Sequence, residues 1–434
     1  MTSLSNSCFR PQAARIDASM LPGVLANTPS KPCFMGPSRP AILECVLHRW
    51  SSARQFDCIR FRPRIDPSSL LLEIMTALIF GSPGRYIQGD GVLDEIGQYI
   101  RDCSERALVL CDIFVKRQFG ARIAASCDAH GIDVLWLAFD GELTDRKVRE
   151  LERATQSFDY GVVVAIGGGK TLDAGKALVD TAGCALITVP TVASNDSPTS
   201  KNYVLYDDNH QLASVRHLPR SAAYVLVDTA VIAKAPTHFL LAGIGDAISK
   251  YFEAEQCLRS GGKNMFGARS SYSAYILARE CFSLIRSDAE TVLDELAHGR
   301  TGHGFDRLVE AVILMSGLGF ESAGLSIAHS MTRGLSRIET AAAAPHGLQV
   351  AYALLVQLQL EGRAPDFMRD LTGLYERIGL PVRLSDLGPG AVTRDHYETV
   401  ARFTLQAPHS ANFERPLRVE DLVAAMDAID HATA

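Results

Sequence analysis

Asp246, His329 and His346 carry side chains suited to a divalent ion, one carboxylate and two imidazoles. Such a trio leaves a coordination position open, as a catalytic zinc requires. Read singly, each residue is ordinary. Asp246, in Gly243-Ile244-Gly245-Asp246, reads as an N-cap at the start of a helix. His329 lies in a helix of apolar and small residues, Gly319–Leu335, and His346 enters another helix between Pro345 and Gly347. The histidines are 17 positions apart and His329 is 83 beyond Asp246, so local spacing does not join them.

A second chemical signal is Ile166-Gly167-Gly168-Gly169-Lys170-Thr171-Leu172-Asp173. It follows an apolar run and opens a helical pattern. Glycines let a ligand approach the main chain closely, and the free amides at a helix start suit a pyrophosphate. A tight strand-to-helix turn with no ligand is the plainer reading, but three consecutive glycines exceed what such a turn needs. The pattern is neither a P-loop nor G-x-G-x-x-G, and it does not open the first βα unit. Asp112, directly after the run Ala107–Cys111, reads equally as a capping aspartate or as an acceptor for ribose hydroxyls. In the second case it would repel a 2′-phosphate and select NAD over NADP.

These residues need a scaffold, and the hydrophobic pattern supplies one. Ala107–Cys111, Val134–Phe139, Tyr160–Ile166, Ala185–Val189 and Ala223–Val227 read as buried strands, with helical spacing between them in Asp145–Phe158 and Leu172–Ala182. Strands alternating with helices predict a parallel sheet. After Pro236 the pattern turns helical: Leu241–Leu258, Ser270–Ile285, Phe305–Leu335, Gly347–Leu360, Asp366–Ile378 and Val419–Ile429. The expected fold is an α/β dinucleotide-binding domain over residues 75–235 and an all-helical metal and catalytic domain over 236–434, with a ligand cleft between them. Residues 1–74 are rich in Pro, Ser, Arg and Cys, with eight arginines, one lysine and no sustained period. They read as a poorly ordered extension without a catalytic role: a transit peptide, a disordered arm, or sequence upstream of a start at Met75.

Composition narrows the classes. The 434 residues are 47% hydrophobic and 21% charged with a net charge of −6. That is ordinary for a globular chain and lacks the basic surplus of a nucleic-acid binder. The most apolar stretch, Leu308–Ala328, contains Glu310, Glu321 and glycines, so it reads as a buried core helix and not a membrane span. Ten cysteines with no C-x-x-C pair suit buried thiols in the reducing cytoplasm.

Taken together, the segments from about Met75 onward resemble the glycerol dehydrogenase branch of the iron-containing (group III) alcohol dehydrogenases. The matching stretches are Ser82–Gly89, the glycine loop with Lys176-Ala177, Val189–Pro198, Ala242–Ala247, Gly317–Leu325, Ala328-His329 and His346-Gly347, in family order over about 360 residues. The resemblance implies a dehydroquinate synthase-like architecture. It implies NAD held by Gly167, Gly168, Gly169, Lys170, Asp173, Asp112, Thr188, Thr191 and Tyr206. It implies Zn2+, with Fe2+ as the alternative, on Asp246, His329 and His346, and Asp196 against the polyol. Those three ligands and Asp196 are the implied catalytic set. The ion would serve as a Lewis acid on the alcohol oxygen while the nicotinamide takes a hydride, converting glycerol or a similar vicinal diol to the hydroxyketone, or the reverse.

The broader superfamily often has another histidine four residues after the aspartate. Lys250 stands there in this chain, which suits a three-ligand zinc form. The branch commonly has a second histidine where this chain has Thr332, a His- and Tyr-rich segment where it has Ala341–Pro345, and small apolar residues where it has Lys201-Asn202-Tyr203. These departures leave room for a larger or differently charged hydroxyketone. The alternative reading is a sugar-phosphate cyclase using NAD and zinc, or a glycerol-1-phosphate dehydrogenase-like enzyme, with Lys201, Arg216 and Arg220 as the phosphate cluster. A homo-oligomer with a small-molecule substrate is expected, with neither nucleic acid nor membrane as partner.

Overall fold

Strands buried on both faces of a parallel sheet read as unbroken apolar runs, because helices cover both sides. A computed structural model of the chain, describing residues 77–207 and 212–432, has such a sheet. The expected extension over 1–74 lies outside the described residues. Strands β1 (Arg85–Gly89), β2 (Arg106–Cys111), β3 (Asp133–Ala138), β4 (Val162–Gly167) and β5 (Ala185–Pro190) are followed by a separate antiparallel pair, β6 (Asn202–Tyr206) and β7 (Leu212–His217), and then β8 (Tyr224–Asp228). The main sheet has the order β1-β8-β5-β4-β2-β3, with every pairing parallel. Sequence reading identified the central strands. It did not identify β1 or the β6–β7 pair, whose residues are short, partly exposed or polar.

Helices α1 (Ile96–Cys103), α2 (Ile113–Ala129), α3 (Asp145–Thr155), α4 (Gly169–Ala182) and α5 (Thr229–Ala233) connect the strands. Side chains alternate across β4. Val162, Val164 and Ile166 pack with Ile96, Ile100, Val115 and Ile123 on one face. Val163 and Ala165 face the other way, into a core shared with Leu172, Leu178 and the helical half of the molecule. Contact there is close: a Cβ on Gly175 of α4 would lie 2.4 Å from the Ala165 Cβ.

After β8 the chain is helical: α6 (Thr237–Arg259), α7 (Tyr272–Ala297), α8 (His303–Glu310), α9 (Ser316–Ala323), α10 (Ile327–Leu335), α11 (Glu339–Ala342), α12 (His346–Leu360), α13 (Pro365–Ile378), α14 (Arg394–Leu405) and α15 (Val419–Asp430). Two sequence expectations are corrected here. The stretch Phe305–Leu335 is not one helix. A π segment, Ala311–Met315, joins α8 to α9, and Gly324 then leaves the helix at φ +95°, so α10 departs at 99°. The supposed core helix Leu308–Ala328 is therefore interrupted, although most of its residues are buried and Glu310 is exposed. Asp246 is not at a helix start either, because α6 begins at Thr237 and carries Asp246 in its interior. Among the described residues no single helix is long and apolar enough to cross a membrane.

Glu321 of α9 ties this half to the loop that follows β5. Its Oε1 accepts from the Lys201 amide at 2.5 Å. Burial pushes its carboxyl up to about 7, with the Lys201 amide and the Lys176 and Lys201 charges opposing. A carboxyl raised in the folded state keeps its proton where the unfolded chain has lost it, so this group costs stability as pH rises from the ordinary carboxylate range to about 7. Glu321→Gln keeps the acceptor and removes the charge. It is expected to stabilise the fold by up to about 3 kcal/mol at about pH 8 and by little at about pH 5. Denaturant unfolding at the two pH values checks this; an equal gain at both would contradict it.

Candidate active site

In an open parallel sheet, ligands bind outside the carboxyl ends of the strands, where the strand order reverses. Here β2 and β4 are neighbours whose onward connections diverge, β2 to β3 on one side and β4 to β5 on the other. Asp112 follows β2, and Gly167–Gly169 follow β4. The Cys111–Ile166 register sets these ends side by side. Gly167 pairs in turn with Pro190 of β5, and the Thr191 amide donates to the Gly167 carbonyl at 3.1 Å. Asp112, the glycine turn and Thr191 therefore lie along one edge.

Asp112 caps α2, its Oδ1 accepting from the Val115 amide at 2.7 Å. Among the described residues its other oxygen has no hydrogen-bond donor. Lys170, largely exposed, pairs with Glu142. Asp173 is turned inward, with Oδ1 accepting from Ser197 Oγ at 3.0 Å and Oδ2 from the Val204 amide at 3.1 Å; burial raises its pKa against the pull of Lys176. Thr188 is fully buried and donates to the Pro198 carbonyl at 2.8 Å. Tyr206 donates its amide to the Leu143 carbonyl at 2.9 Å, and burial pushes its phenol up to about 12.

The loop after β5 links this edge to the helical half. Lys176 of α4, fully buried, donates to the Ser197 carbonyl at 2.8 Å, to Ser197 Oγ at 2.9 Å and to the Asn202 carbonyl at 2.7 Å. Thr199 Oγ1 donates to the Ile313 carbonyl at 2.8 Å, in the π segment, where the wider turn loosens the helical ladder. Asp196, held between these anchors, accepts at Oδ2 from Ser316 Oγ at 3.0 Å.

Asp246, His329 and His346 converge. A donor atom from each lies within 4.8 Å of the others. Close backbone contact makes this possible: a Cβ on Gly245 would lie 2.5 Å from the Gly347 carbonyl, and one on Gly347 would lie 1.8 Å from the Ala242 carbonyl. Helices α6 and α12 therefore meet nearly backbone to backbone, bringing Asp246 and His346 within 4.0 Å. The helix break at Gly324 turns α10 so that His329 Nε2 reaches Asp246 Oδ1 at 3.1 Å.

Two residues complete the centre that sequence reading did not assign to it. Glu253, fully buried, accepts at Oε2 from His329 Nδ1 at 2.5 Å and at Oε1 from the His329 amide at 3.0 Å and the Ser326 amide at 2.9 Å. Lys250, 2% exposed, places Nζ 2.6 Å from Asp246 Oδ1, 2.9 Å from His329 Nε2 and 3.2 Å from Asp196 Oδ2. Their signal was spacing: four and seven residues beyond Asp246 on α6 fall on the same helix face. Thr332 spends its hydroxyl on the His329 carbonyl at 2.7 Å.

The charges follow from this packing. Burial works to raise Asp246, but the Lys250 ammonium outweighs it and holds the carboxylate well below its ordinary range. Burial pushes Asp196 up, with Lys250 opposing. Burial would lower Lys250, yet Asp196 and Asp246 hold it above its usual value. Glu253 is held at about 2 against burial, chiefly by His329. His346 is lowered by the protein around it; Asp246 opposes this, and His329 and Lys250 reinforce it. The ring is therefore a neutral imidazole, with its side chain half-exposed. For His329, burial opposes charge while Glu253 favours it, for a net push to about 9. The contact with Lys250 argues otherwise, because an ammonium can only donate and Nε2 must then be unprotonated. With the ammonium donating to Nε2, Nδ1–H donates to Glu253 and Nε2 turns its lone pair to the centre.

That donor set fits a divalent ion: an ionised carboxylate, two imidazole nitrogens presented as lone pairs, and a carboxylate fixing one ring from behind, as metal-bound histidines usually have. Glu253→Gln, which keeps the shape and weakens the acceptor, is expected to lower Zn2+ affinity about 10- to 100-fold and leave NADH binding unaltered. Titration calorimetry with each ligand checks this. Unchanged zinc affinity would show that Glu253 does not orient His329 for an ion.

The sequence pattern of the iron-containing alcohol dehydrogenases matches residues 83–229. The chain is 36% identical to a glycerol dehydrogenase of Escherichia coli O6:H1 over 71% of its own length and 84% of the relative's. It is 31% identical to a glycolaldehyde reductase of Halobacterium salinarum over 80% of its length and 97% of the relative's. The crystal structure of glycerol dehydrogenase from Schizosaccharomyces pombe superimposes with a TM-score of 0.78 at 31% identity, covering 82% of this chain and 91% of that one. Fold, sequence and the converged residues agree: the chain belongs to the iron-containing alcohol dehydrogenase family, in its glycerol dehydrogenase branch, and is an alcohol dehydrogenase.

Proposed function

We propose that the enzyme oxidises glycerol or a similar vicinal diol to the hydroxyketone, and catalyses the reverse reduction, using NAD and a divalent ion, zinc before iron. What carries this reading is the loop Thr191–Thr199. It leaves the sheet edge beside the glycine turn and delivers Asp196 to the ammonium that bridges Asp246 and His329. One short segment thus connects a dinucleotide-type edge to an ion-type centre, as hydride transfer between alcohol and nicotinamide requires. We assign residues 75–235 to a cofactor domain and 236–434 to a catalytic one.

When bound, the ion supplies Lewis acidity at the alcohol oxygen and the nicotinamide accepts the hydride. The chain's own residues do the positioning. Amides of Gly168 and Gly169 at the start of α4 hold the pyrophosphate, while the free oxygen of Asp112 accepts from the adenosine ribose. Asp246, His329 and His346 hold the ion, and Glu253 fixes the ring of His329. Asp196, with Oδ2 committed to Ser316 and Lys250, offers Oδ1 to a second substrate hydroxyl. That preference favours a diol over a simple alcohol.

The phosphate-sugar reading fares less well, because its three cations are spent elsewhere or apart. Arg216 pairs with Asp145 at 2.9 Å, Lys201 Nζ lies 4.1 Å from the Phe266 ring centroid, and Arg220 is exposed.

The test is a screen of diols, hydroxyketones and sugar phosphates with NAD(H), followed by NADH absorbance and by phosphate release. Glycerol or another vicinal diol is expected to yield NADH with NAD well above NADP, and Asp112→Gly is expected to narrow that preference. Phosphate release without net NADH would replace this reading with a cyclase, and equal use of NADP by the wild type would remove Asp112 from the ribose.

A further inference from the structure

The ammonium of Lys250 stands among the atoms that would ligate the ion. Nζ contacts Asp246 Oδ1 at 2.6 Å and His329 Nε2 at 2.9 Å, while those two acceptors lie 3.1 Å from each other. Two lone pairs that close, with no proton between them, repel unless one cation serves both. Lys250 is that cation in this structure. A zinc ion bonded to the same atoms at about 2.0–2.2 Å would fall on or against the ammonium, and two cations sharing one buried pocket repel strongly. The ion and the ammonium are therefore alternative occupants.

We propose that Lys250 is the resident cation of this centre and sets its metal affinity: a divalent ion enters only as the ammonium swings off Asp246. Asp196 is built to receive it. Its Oδ2 lies 3.2 Å from Nζ, so the lysine can leave Asp246 and His329 while keeping an ion pair, and Nζ already stands over the Phe320 ring, 5.6 Å from its centroid. Occupancy by metal is thereby coupled to the state of Asp196, the carboxylate assigned to the second hydroxyl. This extends the proposed function and rests on it only for the identity of the ion's ligands.

The experiment measures Zn2+ binding to the full chain, without cofactor or alcohol, after chelator treatment. Wild type is expected to lose its zinc on gel filtration in metal-free buffer and to bind added zinc weakly. Lys250→Thr, which clears the position, is expected to retain about one zinc per chain and to bind it at least about 100-fold more tightly, since the ion no longer displaces hydrogen bonds between charged groups. His346→Ala added to Lys250→Thr should abolish the gain, locating the ion at these ligands. Wild type that retains stoichiometric zinc, or equal affinity in the two proteins, overturns the proposal. Should Lys250→Thr not fold without metal, purification in zinc restores it if the ion replaces the ammonium; failure to fold even with zinc, beside a wild type that keeps its zinc, counts against it. A chain that binds zinc as stated but forms no NADH from any diol overturns the proposed function and leaves this inference standing.

Discussion

Three carboxylates, Asp196, Asp246 and Glu253, are buried within a few side chains of one another. Ionised groups tolerate such burial only where each has a hydrogen-bonded partner of opposite sign or a strong donor. Lys250 and His329 provide those partners, and much of the surrounding architecture serves to bring the five groups together. Asp246, Lys250 and Glu253 follow one face of α6 at intervals of four and three residues. His329 arrives from α10, which reaches the cluster because the chain turns at Gly324. Asp196 arrives from the α/β half on a loop pinned by Lys176 and Thr199. Removing any one group leaves another uncompensated, so the centre behaves as a unit.

The same constraint explains why the two halves share a core and not merely a boundary. Val163 and Ala165 of the central strand β4 pack into the apolar cluster that continues through α6 and α12. The sheet edge at the carboxyl ends of β2, β4 and β5 is thus fixed relative to the ionic centre by packed side chains and by the Thr191–Thr199 loop. Hydride transfer demands that kind of fixed geometry, since small displacements between donor and acceptor carbons are costly.

The parts legible in the sequence were those governed by local rules. Apolar runs of five to seven residues marked the central strands, and three glycines after one of them marked a turn that lies at the strand-order reversal. Asp112 could be read as a cap or as a ligand residue, and its Val115 bond shows the capping use without closing off the other oxygen. The trio Asp246, His329 and His346 was nameable through resemblance but not through spacing, because a helix break and two glycine-mediated contacts join it in space. The break at Gly324 was missed because the apolar pattern runs straight through it. The sequence shows Lys250 as the replacement of a histidine, which suits a three-ligand zinc form, and not as a group inside the centre. A single sequence gives no sign that a lysine will turn inward and stand among three acceptors, since its charge ordinarily places it in solvent. Spacing puts Lys250 and Glu253 on the Asp246 face of α6, but charge alone argues for solvent at both positions.

The central claim is that one buried position between Asp246 and His329 admits either the Lys250 ammonium or a divalent ion. Crystals grown with and without Zn2+ and measured at the zinc absorption edge test it most directly. The account predicts a single anomalous peak bounded by Asp246, His329 and His346, with the Lys250 side chain withdrawn toward Asp196 in the zinc crystal and bonded to Asp246 in the other. A peak at those ligands with Lys250 still against Asp246, or zinc bound elsewhere in the molecule, would contradict it.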